Sequence, residues 1–282
     1  MRNYKVSGLT GDMAVLEMGS ESGLPLVAVH GWLDDAASFL HLSNELPEFR
    51  WIALDLPGHG LSDFRPPGSV YHFTDYIGDL HLATKAMGLD RFILVGHSLG
   101  AGISAAFAAA FPGRVEKLVL IDGIGPISGK DDDSLTQLRK SVAHFDEVEN
   151  SGPRIYPSWE FLVSRRMEAG DIARHSVETL LSRGAVEHGD GVRVLSDGRL
   201  KQHSPIYMSQ AKVLSILGGI SCPALLVLAE QGLVHSRKST GERIRAVDSL
   251  KVANVPGAHH VHLDDPGVVA AELEKFLGQG QW

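Results

Sequence analysis

The stretch Gly96-His97-Ser98-Leu99-Gly100 constrains this chain more than any other. It follows the apolar run Phe92-Ile93-Leu94-Val95 and leads into Ala101-Gly102-Ile103-Ser104-Ala105-Ala106-Phe107-Ala108-Ala109-Ala110, a run of small, helix-favouring residues. That order predicts a buried strand, a tight turn and a buried helix. A serine at the apex of such a turn has a strained backbone, tolerated only if the residues two before and two after it have little or no side chain. Gly96 and Gly100 meet the condition. The helix start then supplies the unpaired amide of Leu99 and the positive end of a dipole, both suited to a developing oxyanion. The pattern is that of a nucleophile elbow; the plainer alternative is a glycine-rich loop with an idle serine.

The rest of the chain has to supply partners for that serine, and its size allows it. With 282 residues, 44% of them apolar and 21% charged, it reads as an ordinary globular protein, either one large domain with an insertion or two small ones. A formal charge of −8 without a long basic run argues against nucleic acid or an anionic membrane as partner and leaves small molecules open. No signal-like apolar stretch stands at the start and no run reaches the length of a membrane span, so a cytoplasmic protein is expected. The single cysteine, Cys222, precedes Pro223 without a basic neighbour to activate it and reads as a core residue.

Taken in order, residues 4–7 and 13–18 read as a hairpin, and Pro25-Leu26-Val27-Ala28-Val29 as a strand covered on both faces. The strand ends at His30-Gly31-Trp32. A second oxyanion donor usually comes from such a loop, which makes the Trp32 amide the candidate, with His30 orienting the loop by hydrogen bonding. Residues 35–46 have the spacing of an amphipathic helix, and Trp51-Ile52-Ala53-Leu54-Asp55 that of a strand. The turn Leu56-Pro57-Gly58-His59-Gly60-Leu61-Ser62-Asp63 reads as structural, in preference to a metal site of His59 with Asp55 and Asp63. Residues 74–87 fit a helix capped by Gly88. Leu118-Val119-Leu120-Ile121 is a buried strand whose carboxyl end carries Asp122, on the edge where open α/β sheets place their sites.

From 127 to 209 the alternation of strand and helix stops. Residues 135–148, 158–168 and 175–183 look like amphipathic helices, Lys130-Asp131-Asp132-Asp133-Ser134 like a solvated helix start, and Asp197-Gly198 like the turn of a short extended excursion. A helical lid set into the α/β core is the reading, with Tyr156, Trp159, Phe161, Tyr207 and Met208 as candidate lining residues. The core resumes with strands at 224–229 and 250–255 and a closing helix at 268–277.

A serine hydroxyl needs a base, and the base an acid to orient it. The late cluster His259-His260-His262 is the source of the base; irregular loop spacing and the lack of a cysteine set it apart from a metal site. Together with His30-Gly31-Trp32, Asp55-Leu56-Pro57-Gly58-His59-Gly60-Leu61-Ser62, the elbow and Gly257-Ala258-His259, the chain resembles the α/β-hydrolase superfamily, and its layout, with Asp197-Gly198-Arg199-Leu200, is similar to the serine hydrolase-like proteins. The motifs cover about residues 24–125 and 220–277.

The resemblance implies a mostly parallel sheet of about eight strands with helices on both faces and an inserted helical lid, with core 1–126 and 210–282 and lid 127–209. It places the base at His259, with His260 as runner-up and His262 as a non-catalytic position. The acid departs from the family's commonest pattern. A Gly-Glu-x-Asp turn is usual after the strand at 225–228, where this chain has Ala229-Glu230-Gln231-Gly232, a glycine in the aspartate's place. Some branches supply the acid from the strand after the elbow helix, where Asp122 stands; Glu230 is the alternative. The implied activity is a small-ester serine hydrolase of the carboxylesterase type, with no cofactor and no metal, using Ser98, His259 and Asp122 and the amides of Trp32 and Leu99. Carbon–carbon bond hydrolysis on the same triad and slow-turnover binding of a small molecule are the alternatives. The oligomeric state is not legible.

Overall fold

A computed structural model describes residues 1–129, 133–149, 154–235 and 237–278. The chain runs β1 (Arg2–Ser7), β2 (Asp12–Gly19), β3 (Pro25–Val29), α1 (Leu40–Glu45), β4 (Arg50–Leu54), α2 (Phe73–Ala86), β5 (Phe92–His97), α3 (Leu99–Ala110) and β6 (Val115–Ile121). After these come α4 (Ser134–Glu149), β7 (Ile155–Tyr156), α5 (Trp159–Ala169), α6 (Arg174–Gly184), β8 (Ala185–His188) and β9 (Gly191–Val194). It closes with α7 (Gln210–Leu217), β10 (Ala224–Ala229), α8 (Thr240–Arg245), β11 (Leu250–Val255), the short α9 (Val261–Asp264) and α10 (Pro266–Leu277).

Eight strands form one sheet in the order β1-β2-β4-β3-β5-β6-β10-β11. The β1–β2 and β2–β4 pairs are antiparallel, and the remaining pairs are parallel. The central strands are apolar throughout because both faces are covered. Side chains alternate along each strand, so Val27, Val29, Leu94 and Leu120 enter a core shared with Leu80 of α2, Phe107 of α3 and Leu217 of α7. Leu26, Ala28, Val95 and Ile121 enter the opposite core with Leu42 of α1 and Leu273 of α10. Cys222 is buried in the first core, and burial pushes its thiol up to about 11, the expected inert core residue.

Two local readings change. Residues 35–46 are not one helix: Asp35 caps a 3₁₀ turn at Ala36–Phe39 by accepting the Ala37 amide, and α1 follows it. The Asp55 carboxylate at the end of β4 draws the Ala36 amide to 2.7 Å, a tertiary contact that a helical period cannot reveal. Asp197-Gly198 is not a hairpin turn either. The hairpin of β8 and β9 turns at Gly189-Asp190, with Gly189 at φ +57°, and Asp197 instead caps a 3₁₀ turn at Gly198–Lys201.

The described residues of the 127–209 segment add no strand to the large sheet. Besides α4, α5 and α6 it carries a small antiparallel sheet in the order β7-β9-β8, more extended structure than its helical reading expected. Leu162, Val177, Leu180 and Val192 form its own apolar cluster, joined by Leu263 of α9. Tyr156 and Trp159 pack against that cluster, and Met208 against the first sheet core, whereas Phe161 and Tyr207 are exposed. The charged run proposed as the start of α4 lies outside the described residues as far as 132.

Candidate active site

The loops at the carboxyl ends of β3, β5, β6, β10 and β11 meet at one edge of the sheet. Between β5 and α3, Ser98 sits at φ 53° and ψ −112°, the strained apex expected of the pentapeptide. The flanking glycines are obligatory in this geometry. A Cβ at Gly96 would lie 2.4 Å from the Gly100 carbonyl oxygen, and one at Gly100 would lie 2.0 Å from that of Val29. Leu99 is the first residue of α3, so its amide has no acceptor within the helix.

His259, on the loop between β11 and α9, reaches Ser98 through Nε2, 2.9 Å from Oγ. Its Nδ1 lies 2.5 Å from Asp122 Oδ2. The Leu233 amide donates to that same oxygen at 2.9 Å, and an amide can only donate. Oδ2 is therefore an acceptor, Nδ1 of His259 carries the proton, and Nε2 is left as the acceptor for the serine hydroxyl. Asp122 is 1% exposed and adopts φ +40° just beyond β6, with its amide bonded to the Val227 carbonyl at 2.9 Å.

Of the three sites named for the acid, the structure brings Asp122 to His259, leaves Glu230 exposed at the end of β10, and explains the glycine at 232. A Cβ at Gly232 would lie 2.2 Å from Asp122 Oδ1 and 2.6 Å from its carboxyl carbon. A side chain there would force the Asp122 carboxylate out of its present place beside His259, so the glycine at 232 and the aspartate at 122 go together.

His260, the runner-up base, turns away from Ser98 and places Nε2 3.3 Å from Asp34 Oδ2. His262 is fully buried against Ser38 Oγ at 2.7 Å, and burial depresses its pKa to about 3. Next to β3, the Leu56 amide donates to His30 Nε2 at 2.9 Å, so His30 is protonated at Nδ1 and donates to the Gly31 carbonyl at 2.7 Å. Burial holds its pKa near 4, and it anchors the loop as expected, in neutral form. The following turn is closed by the Asp34 amide on the Gly31 carbonyl at 3.2 Å, with Leu33 at φ +63°. Trp32 stands in that turn, half-exposed, its indole N–H donating to the Leu200 carbonyl at 3.1 Å.

Both carboxylates of the His59 metal alternative are engaged by other partners. Asp55 accepts from the Ala36 and Leu61 amides and from Arg183, and Asp63 accepts from Lys5 and the Asp12 amide. Among the described residues, Asp34, His97 and His260 bring ligand atoms within 4.8 Å of one another, and the Arg166 guanidinium binds Oδ1 of that carboxylate. Sequence reasoning does not reach Asp34, Arg166 or the role of His97, and no sequence signal joins the three.

The pattern described as the alpha/beta hydrolase fold matches residues 25–154. The chain is 31% identical to a serine hydrolase-like protein of Danio rerio over 92% of this chain and 83% of that one. It is 30% identical to serine hydrolase-like protein 2 of Homo sapiens, covering 95% of this chain and 91% of that one. A crystal structure of a hypothetical protein of Pseudomonas aeruginosa PAO1, 33% identical, superposes with a TM-score of 0.91 over 98% of both chains. With this sheet, this elbow and these relatives, the chain belongs to the α/β-hydrolase superfamily and, within it, to the serine hydrolase-like proteins.

Proposed function

We propose that this hydrolase cleaves small esters through an acyl-serine intermediate. Ser98 attacks the ester carbonyl as Nε2 of His259 takes its proton, and Asp122 holds the imidazole in the required tautomer and stabilises its cation. The amides of Leu99 and Trp32 receive the oxyanion. His259 then protonates the departing alcohol, and the same base activates the water that releases the acid and restores Ser98. No step uses a metal or a cofactor. The substrate is a small molecule, and the 127–209 segment acts as the lid that selects it.

The observation that carries this reading is the unbroken hydrogen-bond line from Asp122 through His259 to Ser98. The binding-protein alternative rested on the glycine at 232, and that glycine is what makes room for Asp122. Hydrolysis of short p-nitrophenyl esters tests it: Ser98→Ala lowers kcat on the order of 10⁴-fold or more. Wild-type protein no faster than Ser98→Ala overturns the esterase reading.

A further inference from the structure

We propose that the Asp34 carboxylate is a positioning residue joining the oxyanion turn to the histidine loop, and that Arg166 makes this positioning depend on the seating of the 127–209 segment. The proposal rests on the reading of Ser98 and His259 as nucleophile and base.

Asp34 is 4% exposed and meets four parts of the site at once. Its own amide closes the turn that carries Trp32. Its Oδ2 faces His260 Nε2 at 3.3 Å on the histidine loop and His97 Nδ1 at 3.7 Å in the elbow. Its Oδ1 accepts from Arg166, which arrives on α5 from the 127–209 segment. His97 completes the circuit, because its Nε2–H donates to the backbone carbonyl of His259 at 2.9 Å and so holds the base from behind.

The charges make Arg166 necessary. Burial, and then the neighbouring imidazoles, hold the His97 pKa well below its ordinary value, so the ring is neutral. With its proton on Nε2, its bare Nδ1 lone pair faces a carboxylate, a repulsive contact. It is tolerable only while the negative charge is drawn toward His260 and Arg166. Burial would raise the Asp34 pKa, but these partners overcome it and keep the carboxyl well below its usual range.

Without the guanidinium, a buried carboxylate must turn away or recruit a proton onto His97. Either change shifts the ring that holds His259. The oxyanion turn packs directly on this contact: a Cβ at Gly31 would lie 2.9 Å from both Asp34 Oδ2 and His97 Nδ1. The oxyanion turn and the base therefore move together when Asp34 moves. Small misplacements of reacting groups are expensive, up to roughly 10²-fold per ångström.

The test compares p-nitrophenyl butyrate turnover by the full chain, Arg166→Gln, Arg166→Lys, Asp34→Asn and the double variant Arg166→Gln/Asp34→Asn, with Ser98→Ala as background. Arg166 is partly exposed, so Arg166→Gln is expected to fold, and its melting temperature confirms it. The expected result is a kcat about tenfold lower with KM within about twofold, recovered in Arg166→Lys. The double variant is expected to lose no more than Asp34→Asn alone. A rise in KM alone, an unchanged kcat, or losses that multiply would each overturn the proposal and leave Arg166 as a simple tether. If Asp34→Asn does not fold, the Arg166 pair decides alone. Wild-type turnover no faster than Ser98→Ala defeats instead the reading on which it rests.

Discussion

Trp51, Ile103 and Leu273 are fully buried in apolar clusters on the two faces of the large sheet, whereas the 127–209 segment meets the rest of the chain through a small apolar contact at Leu263 and Met208 and through a set of polar ties. Arg166 binds Asp34, Arg183 binds both oxygens of Asp55 at 3.1 and 3.0 Å, and Tyr71 donates to Asp197 at 2.7 Å. Arg199 donates to the carbonyls of Arg65, Pro66 and Ser69. Apolar burial stabilises in proportion to area and has little directional preference. Ion pairs taken out of water contribute little net stability when both partners are counted, yet losing one partner is costly. The sheet therefore carries most of the apolar stabilisation, and the charged ties help fix where the segment sits against the rest of the chain.

The largest effect that would break this division lies in the sheet's own site. Asp122→Asn lowers kcat on the order of 10⁴-fold, because the imidazole loses its tautomer, while the melting temperature stays close to wild type. Glu230→Gln leaves turnover unchanged; the reverse pattern would move the acid to β10. Next comes the contrast in stability. Phe107→Ala, in the first core, lowers global unfolding stability by about 3–5 kcal/mol in a denaturant titration. Arg183→Gln costs about 2 kcal/mol and shows first as a raised KM and faster proteolytic cleavage within 127–209. Equal losses in global unfolding would erase the distinction between the two regions.

Acid sharpens it. Burial first of all depresses the pKa of His30 to about 4 and of His59 and His262 to about 3, and that of His97 well below its ordinary value. The unfolded chain protonates these rings near pH 6.5 and the folded one does not, so the unfolded state binds more protons between about pH 3 and 6.5. Stability is expected to be fully present above that window and lost as pH falls through it. Asp35, raised well above its usual value by burial and by Asp55, and Asp79, raised by burial, work in the opposite direction against the four imidazoles. Melting temperatures from pH 7 to pH 4 check the sign. The smallest effect is at the surface: Arg174→Ala removes an exposed pair with Glu160 and leaves the melting temperature unmoved.

What was legible beforehand is what depends on near neighbours in the chain. The strands announced themselves as apolar runs, the elbow as two glycines around a serine, and Asp122 as an acid at a strand's end. The 3₁₀ turn at Ala36–Phe39 was not, because the Asp55 carboxylate that shapes it comes from another strand. The hairpin turn was assigned to Asp197, whose carboxylate is taken by the Arg199 amide and Tyr71 instead. The Asp34 cluster was least accessible of all, since Arg166 lies 132 residues further along. No spacing rule links them.

The close approach of Gly232 to Asp122 also sets an order of events for any change of acid. The two strand ends compete for one small volume, so the carboxylate cannot be duplicated first and pruned later. Placing an aspartate at 232 would evict the one at 122, and removing the one at 122 first would leave His259 without an orienting partner. A functional transfer between them requires both positions to change in one step, or a loop that first draws aside. The glycine thus acts as a lock on the present arrangement, although it contributes no atom to the chemistry.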